Sequence, residues 1–207
     1  RWAEADVCLT RARRLDEDNL RVRNLQAIVY GRCGLDDWHE STLDDILLTD
    51  SQDAWANWLR HERIADDNQI RLDVAHDFAR AGLWLEALEA LATATPDPEG
   101  GTMPLVEYTR AWLNDKLGRS AEAERCRRAA REAASDRCFP VRLEEQAILQ
   151  AAIEADPEDD RARALLGFWL YDRRRHEAAI ELWEEAVRIQ PSDAVVWRCL
   201  GIPYFNI

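Results

Sequence analysis

Apolar residues recur along this chain at intervals of three and four. Leu88, Leu91 and Ala92 form one such row; Ile180, Trp183, Ala186 and Val187 form another. That is the period of a helix with one buried face. Strand-like alternation rich in Val, Ile and Thr is absent. Proline and glycine are few and fall between the periodic segments rather than inside them. The pattern predicts helices over 2–14, 20–33, 37–48, 53–64, 68–81, 84–94, 104–117, 120–134, 140–154, 159–173, 176–189 and 193 to the end. The expected class is all-α, with about 11–12 helices of ordinary length.

The search for internal periods finds one of 34 residues. Leu166-Gly167 and Leu200-Gly201 stand 34 apart, as do Pro157 and Pro191, and Ala152 and Ala186. One full unit runs from Asp160 to Asp193, with Leu166 and Gly167 in its first helix and Ala179, Trp183 and Ala186 in its second. Pro191 closes it, and Trp197, Leu200, Gly201 and Tyr204 open the next. This unit resembles the tetratricopeptide repeat (TPR). Arg163 and Leu170 stand where that pattern has a bulky residue and a tyrosine. Fainter copies lie upstream, at Ala75, Phe78, Gly82, Ala87, Leu91 and Ala94, and at Ala111, Gly118, Ala123 and Ala130. Ala27, Tyr30, Gly34, Leu43 and Ile46 give a weak copy. Ala5, Leu9 and Ala12 look like the second helix of a pair. The resemblance implies antiparallel helix pairs stacked into a right-handed superhelical solenoid.

Close packing explains the pattern. Small residues at Gly167, Ala179 and Ala186 let two helices approach to about 8–10 Å, and Leu166, Leu170 and Trp183 fill the space between pairs. Most of the nine tryptophans are expected in that role. The predicted helix 140–154 breaks the alternation of first and second helices and reads as an extra helix, with Pro140 at its first position. The expected organisation is one continuous solenoid: degenerate repeats over 1–134, then the extra helix and well-matched units over 135–207. The run Cys138-Phe139-Pro140-Val-Arg142-Leu143-Glu144-Glu145, followed by Trp183 and Trp197-Arg198-x-Leu200-Gly201, is similar to something narrower. It resembles the C-terminal repeat region of large bacterial proteins with an N-terminal β-rich domain of unknown function. That resemblance implies a fragment of a longer chain.

Charge narrows the partners. With 27 basic and 40 acidic residues in 207, the net charge is −13, which repels nucleic acid and anionic membranes. Lys116 is the one lysine, an arginine bias with the look of a GC-rich bacterial genome. The longest apolar run, 164–171, is far short of the ~20 residues that span a bilayer. Five scattered cysteines without a Cys-x-x-Cys are expected to be free thiols, buried or half-buried, in a cytoplasmic protein.

Catalytic and metal patterns fail on inspection. His39-Glu40, His61-Glu62 and His176-Glu177 each begin a zincin-like pair, but the second histidine is replaced by Leu43, Ala65 and Ile180. Surface histidines are the expectation. The acidic doublets, Asp36-Asp37 and Asp159-Asp160 among them, read as helix starts and solvated faces. The stretch 95–102 has two glycines but no phosphate-loop lysine. No catalytic residue, metal or cofactor is expected.

The leading expectation is therefore a non-catalytic protein–protein interaction scaffold. A peptide or partner domain would lie on the concave face made by the first helices of the pairs. Repeat position places Arg161, Phe168, Tyr171 and Asp172, then Arg198, Ile202, Phe205 and Asn206, on that face. The aromatic residues would grip an apolar side chain, and Arg161 and Arg198 would take carboxylates. The alternative is a structural or oligomerisation region accessory to an N-terminal catalytic or carbohydrate-related domain missing from this chain.

Overall fold

A computed structural model describes residues 1–60, 66–96 and 101–206, with side chains through Tyr204. Twelve helices and no strand occur among the described residues: α1 (Trp2–Leu15), α2 (Leu20–Arg32), α3 (Asp36–Thr49), α4 (Ala54–Leu59), α5 (Asn68–Arg80), α6 (Trp84–Leu91), α7 (Met103–Lys116), α8 (Ser120–Glu132), α9 (Leu143–Ala155), α10 (Asp160–Asp172), α11 (His176–Ile189) and α12 (Ala194–Asn206). The all-α reading holds, with most boundaries within two residues of expectation. The second half of the expected helix 53–64 lies outside the described residues, as do His61 and part of the 95–102 stretch. Glycine and proline are not confined to connections, because Gly167, Gly201 and Pro203 stand inside helices.

One turn recurs four times. In each, a residue in the left-handed region follows a first helix, and the next amide bonds back five residues. Leu35 N–H donates to Tyr30 O, Leu83 to Phe78, Arg119 to Asn114 and Arg175 to Leu170, at 2.9–3.0 Å. Gly34, Gly82 and Gly118 hold φ between 70° and 75°; in the fourth turn Arg174 takes φ 60°. These turns join α2 to α3, α5 to α6, α7 to α8 and α10 to α11. They stand 48, 36 and 56 residues apart (34 to 82, 82 to 118, 118 to 174). The two long intervals contain inserted helices, α4 and α9.

The chain divides into two compact units, residues 1–70 and 71–207. In the first, α2 packs on α1 and α3 around Ala27, Leu43, Ile46 and Ala56, with Leu20, Leu47 and Leu59 against them. Asp53 caps α4 through the Ala56 N–H at 2.7 Å and also accepts from Asn24 Nδ2 at 3.1 Å. Of the histidines expected at the surface, His176 is exposed and His39 is half-buried, with its Nδ1 2.8 Å from Ala27 O.

In the second unit the α7–α8 and α10–α11 pairs are the most closely packed, and α9 lies on α7 and α10. Gly167 makes the α10–α11 pair possible. A Cβ there would fall 2.2 Å from Trp183 Nε1, which donates to Ala164 O at 3.2 Å. Trp55, Trp169 and Trp183 are buried as expected, whereas Trp2, Trp38 and Trp197 are exposed. All five cysteines are free, and Cys8 and Cys33 are exposed rather than buried or half-buried.

Pro140 does not start a helix. The buried Glu145 carboxylate accepts the Val141 and Arg142 N–H groups at 2.6 and 2.7 Å, so α9 begins at Leu143. Residues 138–141 run ahead of it without regular structure. This segment is stitched to its neighbours. Trp169 Nε1 donates to Arg142 O at 2.7 Å, Arg173 Nη2 donates to Val141 O at 2.6 Å, and Arg142 pairs with Asp73 at 2.8 Å. Glu144 pairs with Arg80.

Beside these ion pairs His76 is fully buried, and neither ring nitrogen meets a protein partner. Burial pushes its pKa down to about 4, with Glu144 and Asp73 opposing the shift and Arg142 and Arg80 adding to it. Its unfolded value is about 6.5, so the unfolded chain binds more protons between those values. The stability due to the neutral ring is present above pH 6.5 and lost as pH falls toward 4, by roughly 3 kcal/mol. His76→Leu is expected to be neutral or stabilising at pH 7 and to flatten that loss. Urea unfolding of both proteins from pH 7.5 to 4.5 checks it. Glu145 and Asp159, whose pKa values burial raises, are common to both, so the difference between the slopes reports the histidine.

Candidate functional site

A half-open cavity of about 210 Å³ lies on α10, between the 135–139 segment and the start of α12. Phe139, Leu165, Phe168 and Val195 supply its apolar surface; Arg161 and Arg198 stand at it. Three local features build it. Asp159 caps α10 by accepting the Ala162 N–H at 2.9 Å, which sets where Arg161 leaves the helix. Arg161 Nη1 donates to Ala133 O at 2.9 Å and so holds the end of α8 beside α10. Asp193 caps α12 by accepting the Val195 and Val196 N–H groups at 2.9 and 3.0 Å. Phe168 packs edge-on against Phe139 at 5.7 Å and also meets Trp183 at 5.6 Å.

Two carboxylates, Asp136 and Asp193, and three guanidinium groups, Arg137, Arg161 and Arg198, border the cavity. Three guanidinium groups against two carboxylates leave the rim with one net positive charge. Cys138 also lines it, buried, and burial pushes the thiol up to about 12. At neutral pH it is a neutral thiol, a poor nucleophile and a poor metal ligand. No group of three His, Cys, Asp or Glu able to hold a metal ion occurs among the described residues.

Of the residues placed on the partner-binding face, Arg161, Phe168 and Arg198 come together at this cavity. Tyr171 lies apart from its lining, with its ring 4.6 Å from His176 and 5.3 Å from Trp183. Asp172 is exposed and 3.1 Å from Arg173. Ile202 is exposed on α12. The side chains of Phe205 and Asn206 lie outside the described residues. Phe139, Leu165 and Val195 were not legible as site residues. Phe139 comes from an irregular segment, and only the docking of that segment on α10 brings it to Phe168.

No protein-family profile matches the chain, and no curated protein is significantly similar to it. Several solved structures are similar to it. The crystal structure of MamA shares 17% identity over 86% of this chain and 81% of its own, with a TM-score of 0.33. YrrB, described as a TPR protein with an unusual peptide-binding site, shares 15% over 92% and 96%, with a TM-score of 0.27. The MamA RS-1 ArsTM double mutant shares 15% over 94% and 88%, with a TM-score of 0.28. No helix among the described residues is long and apolar enough to cross a membrane.

Proposed function

We propose that this chain is a non-catalytic interaction module that holds a segment of a partner protein in the cavity on α10. The observation that carries the reading is the composition of the cavity wall. Phe139, Leu165, Phe168 and Val195 form an apolar seat the size of one side chain, beside Arg161 and Arg198. Such a seat suits an extended peptide that inserts one apolar residue and presents a neighbouring carboxylate to a guanidinium. The nucleophile in the wall, Cys138, is held neutral, which supports binding over catalysis. The chain's net charge of −13 supports a protein partner over a nucleic acid or an anionic membrane. Tyr171, Asp172 and Asn206 lie on the same two helices, where a longer partner would reach them.

Selection from a displayed library of random peptides tests this. Wild-type protein is expected to enrich peptides with an aliphatic or aromatic residue beside an acidic one. Val195→Glu with Arg198→Glu changes two exposed side chains and is expected to abolish the enrichment without lowering the Tm. Equal enrichment on both proteins, or none on the wild type, refutes the proposal.

A further inference from the structure

Residues 133–142 run along α10 as a strap. Arg161, at the start of α10, donates to Ala133 O at 2.9 Å. Phe168, further along, meets the Phe139 ring at 5.7 Å. Trp169 and Arg173, at the far end, donate to Arg142 O and Val141 O at 2.7 and 2.6 Å. The strap has no regular element, only a turn in which the Cys138 N–H donates to Ser135 O at 3.0 Å and Arg137 takes φ 58°. It supplies Phe139 and Cys138 to the cavity wall, so the cavity is complete only while the strap is down.

Polar bonds hold its far end. Besides the two from α10, Arg142 pairs with Asp73 at 2.8 Å and Glu144 pairs with Arg80. Glu145 takes the 141 and 142 amides. His76 stands one turn from Asp73 and one from Arg80 on the same face of α5. Both its ring nitrogens are buried and unpartnered, as are Glu144 Oε2 and Glu145 Oε1. The charged groups that face His76 are Asp73 and Arg80 from α5, Arg142 from the strap and Glu144 from α9; Asp77 lies 3.6 Å from Arg80. Two anions and two cations cancel, and each anion is already paired. A charged imidazolium gains no net partner there and bears the cost of burial.

We propose that the strap is a gate opened by protons through His76: charging the ring breaks the hold of Arg142 and Glu144 on α5, the strap swings out on the 135–138 turn, and Phe139 leaves Phe168. That the gate controls a peptide rests on the function proposed above; that the strap opens does not. His76 takes a proton more readily once the strap is off, so opening grows as pH falls from 6.5 toward 4. Glu144, whose pKa is lowered, adds little above its ordinary value of 4.5. Glu145, whose pKa burial raises, binds its proton better in the closed state and opposes the gate. The part due to the histidine is therefore read as a ratio between wild type and His76→Leu.

Cys138, 2% exposed when the strap is down, reports the opening. The chain carries Cys8→Ser, Cys33→Ser, Cys126→Ser and Cys199→Ser, and dithiodipyridine labels the remaining thiol at pH 7.5 and 5.0. Each rate is divided by that of the same chain unfolded in urea, which removes the pH dependence of the exchange chemistry. Labelling is expected to speed up at pH 5.0, and by about thirtyfold more with His76 than with Leu, from values of about 4 closed and about 6.5 open. Trp169→Phe removes one bond to the strap and no charge. It is expected to label about fivefold faster at both pH values with the same acid response, and it tests the gate even if His76→Leu fails to fold. No acid acceleration, an equal one in both proteins, or rates that climb with the first additions of urea as global unfolding does overturn the proposal. A peptide selected as above is expected to slow labelling at pH 7.5. Acid opening without that protection keeps the strap mechanism and refutes the peptide reading.

Discussion

Gly167→Ala is expected to destabilise the 71–207 unit by about 3 kcal/mol, the upper part of the range for overpacking a closed interior. The added methyl would stand 2.2 Å from Trp183 Nε1, 2.5 Å from Cδ1 and 2.9 Å from Cε2. Trp183 cannot swing away cheaply. It is buried and bonded to Ala164 O, and its ring also meets Phe168 and Tyr171. Gly201→Ala occupies the same position in the repeat and is expected to gain up to about 1 kcal/mol, the difference in helix propensity alone. The two variants have one chemistry and opposite signs. Urea unfolding at low protein concentration, followed by far-UV circular dichroism, measures both. If Gly167→Ala falls within 0.5 kcal/mol of wild type, about the spread of an ordinary surface change, the packing described for α10 and α11 is wrong. Combining it with Trp183→Leu is expected to cost less than the sum of the single changes, since the smaller side chain relieves the overlap.

Asp159→Ala is the second large effect, expected at about 3 kcal/mol. Asp159 is fully buried, caps α10 through the Ala162 N–H, and accepts the Tyr108 hydroxyl at 2.7 Å. Arg131 stands 3.6 Å from its other oxygen. Losing the cap costs about 1 kcal/mol, and the stranded Tyr108 hydroxyl adds about 1–3 kcal/mol. Tyr108→Phe alone is expected to cost about 1 kcal/mol, because the caps and Arg131 still satisfy the carboxylate. The double variant is therefore expected to be more stable than Asp159→Ala, which a two-residue thermodynamic cycle checks. This pair ties α7 to the start of α10, and so to the orientation of Arg161. In peptide selection, Asp159→Ala is expected to weaken enrichment along with stability, whereas Tyr108→Phe leaves enrichment intact.

Helix positions were legible because the 3.6-residue period is a local property of each segment. Fainter repeat copies upstream of residue 158 have a structural cause. The inserted helices α4 and α9 lengthen two intervals between turns to 48 and 56 residues, so a search at period 34 loses phase there. The fourth hairpin turn carries Arg174 rather than glycine at its left-handed position, yet that hairpin was legible from Leu166, Gly167, Ala179, Trp183 and Ala186. The start of α9 was misplaced because proline at a first helical position is a local cue, while Glu145 decided the matter by accepting the 141 and 142 amides. His76 gave no sequence signal at all. Nothing in Val74-Ala75-His76-Asp77 distinguishes a fully buried histidine from one in water.

By itself the sequence determined the helical class, most boundaries, and the small residues at Gly167, Ala179 and Ala186 in the 160–193 pair, since each depends on residues close in the chain. It also placed Arg161, Phe168 and Arg198 on related helix positions. Tertiary structure alone decided that α9 lies on α7 and α10, that Phe139 comes to Phe168, and that Gly201 stands empty where its counterpart is filled. The reason is physical: periodicity states which side of a helix is apolar, while the partner that covers that side is chosen by shape and charge from segments far along the chain.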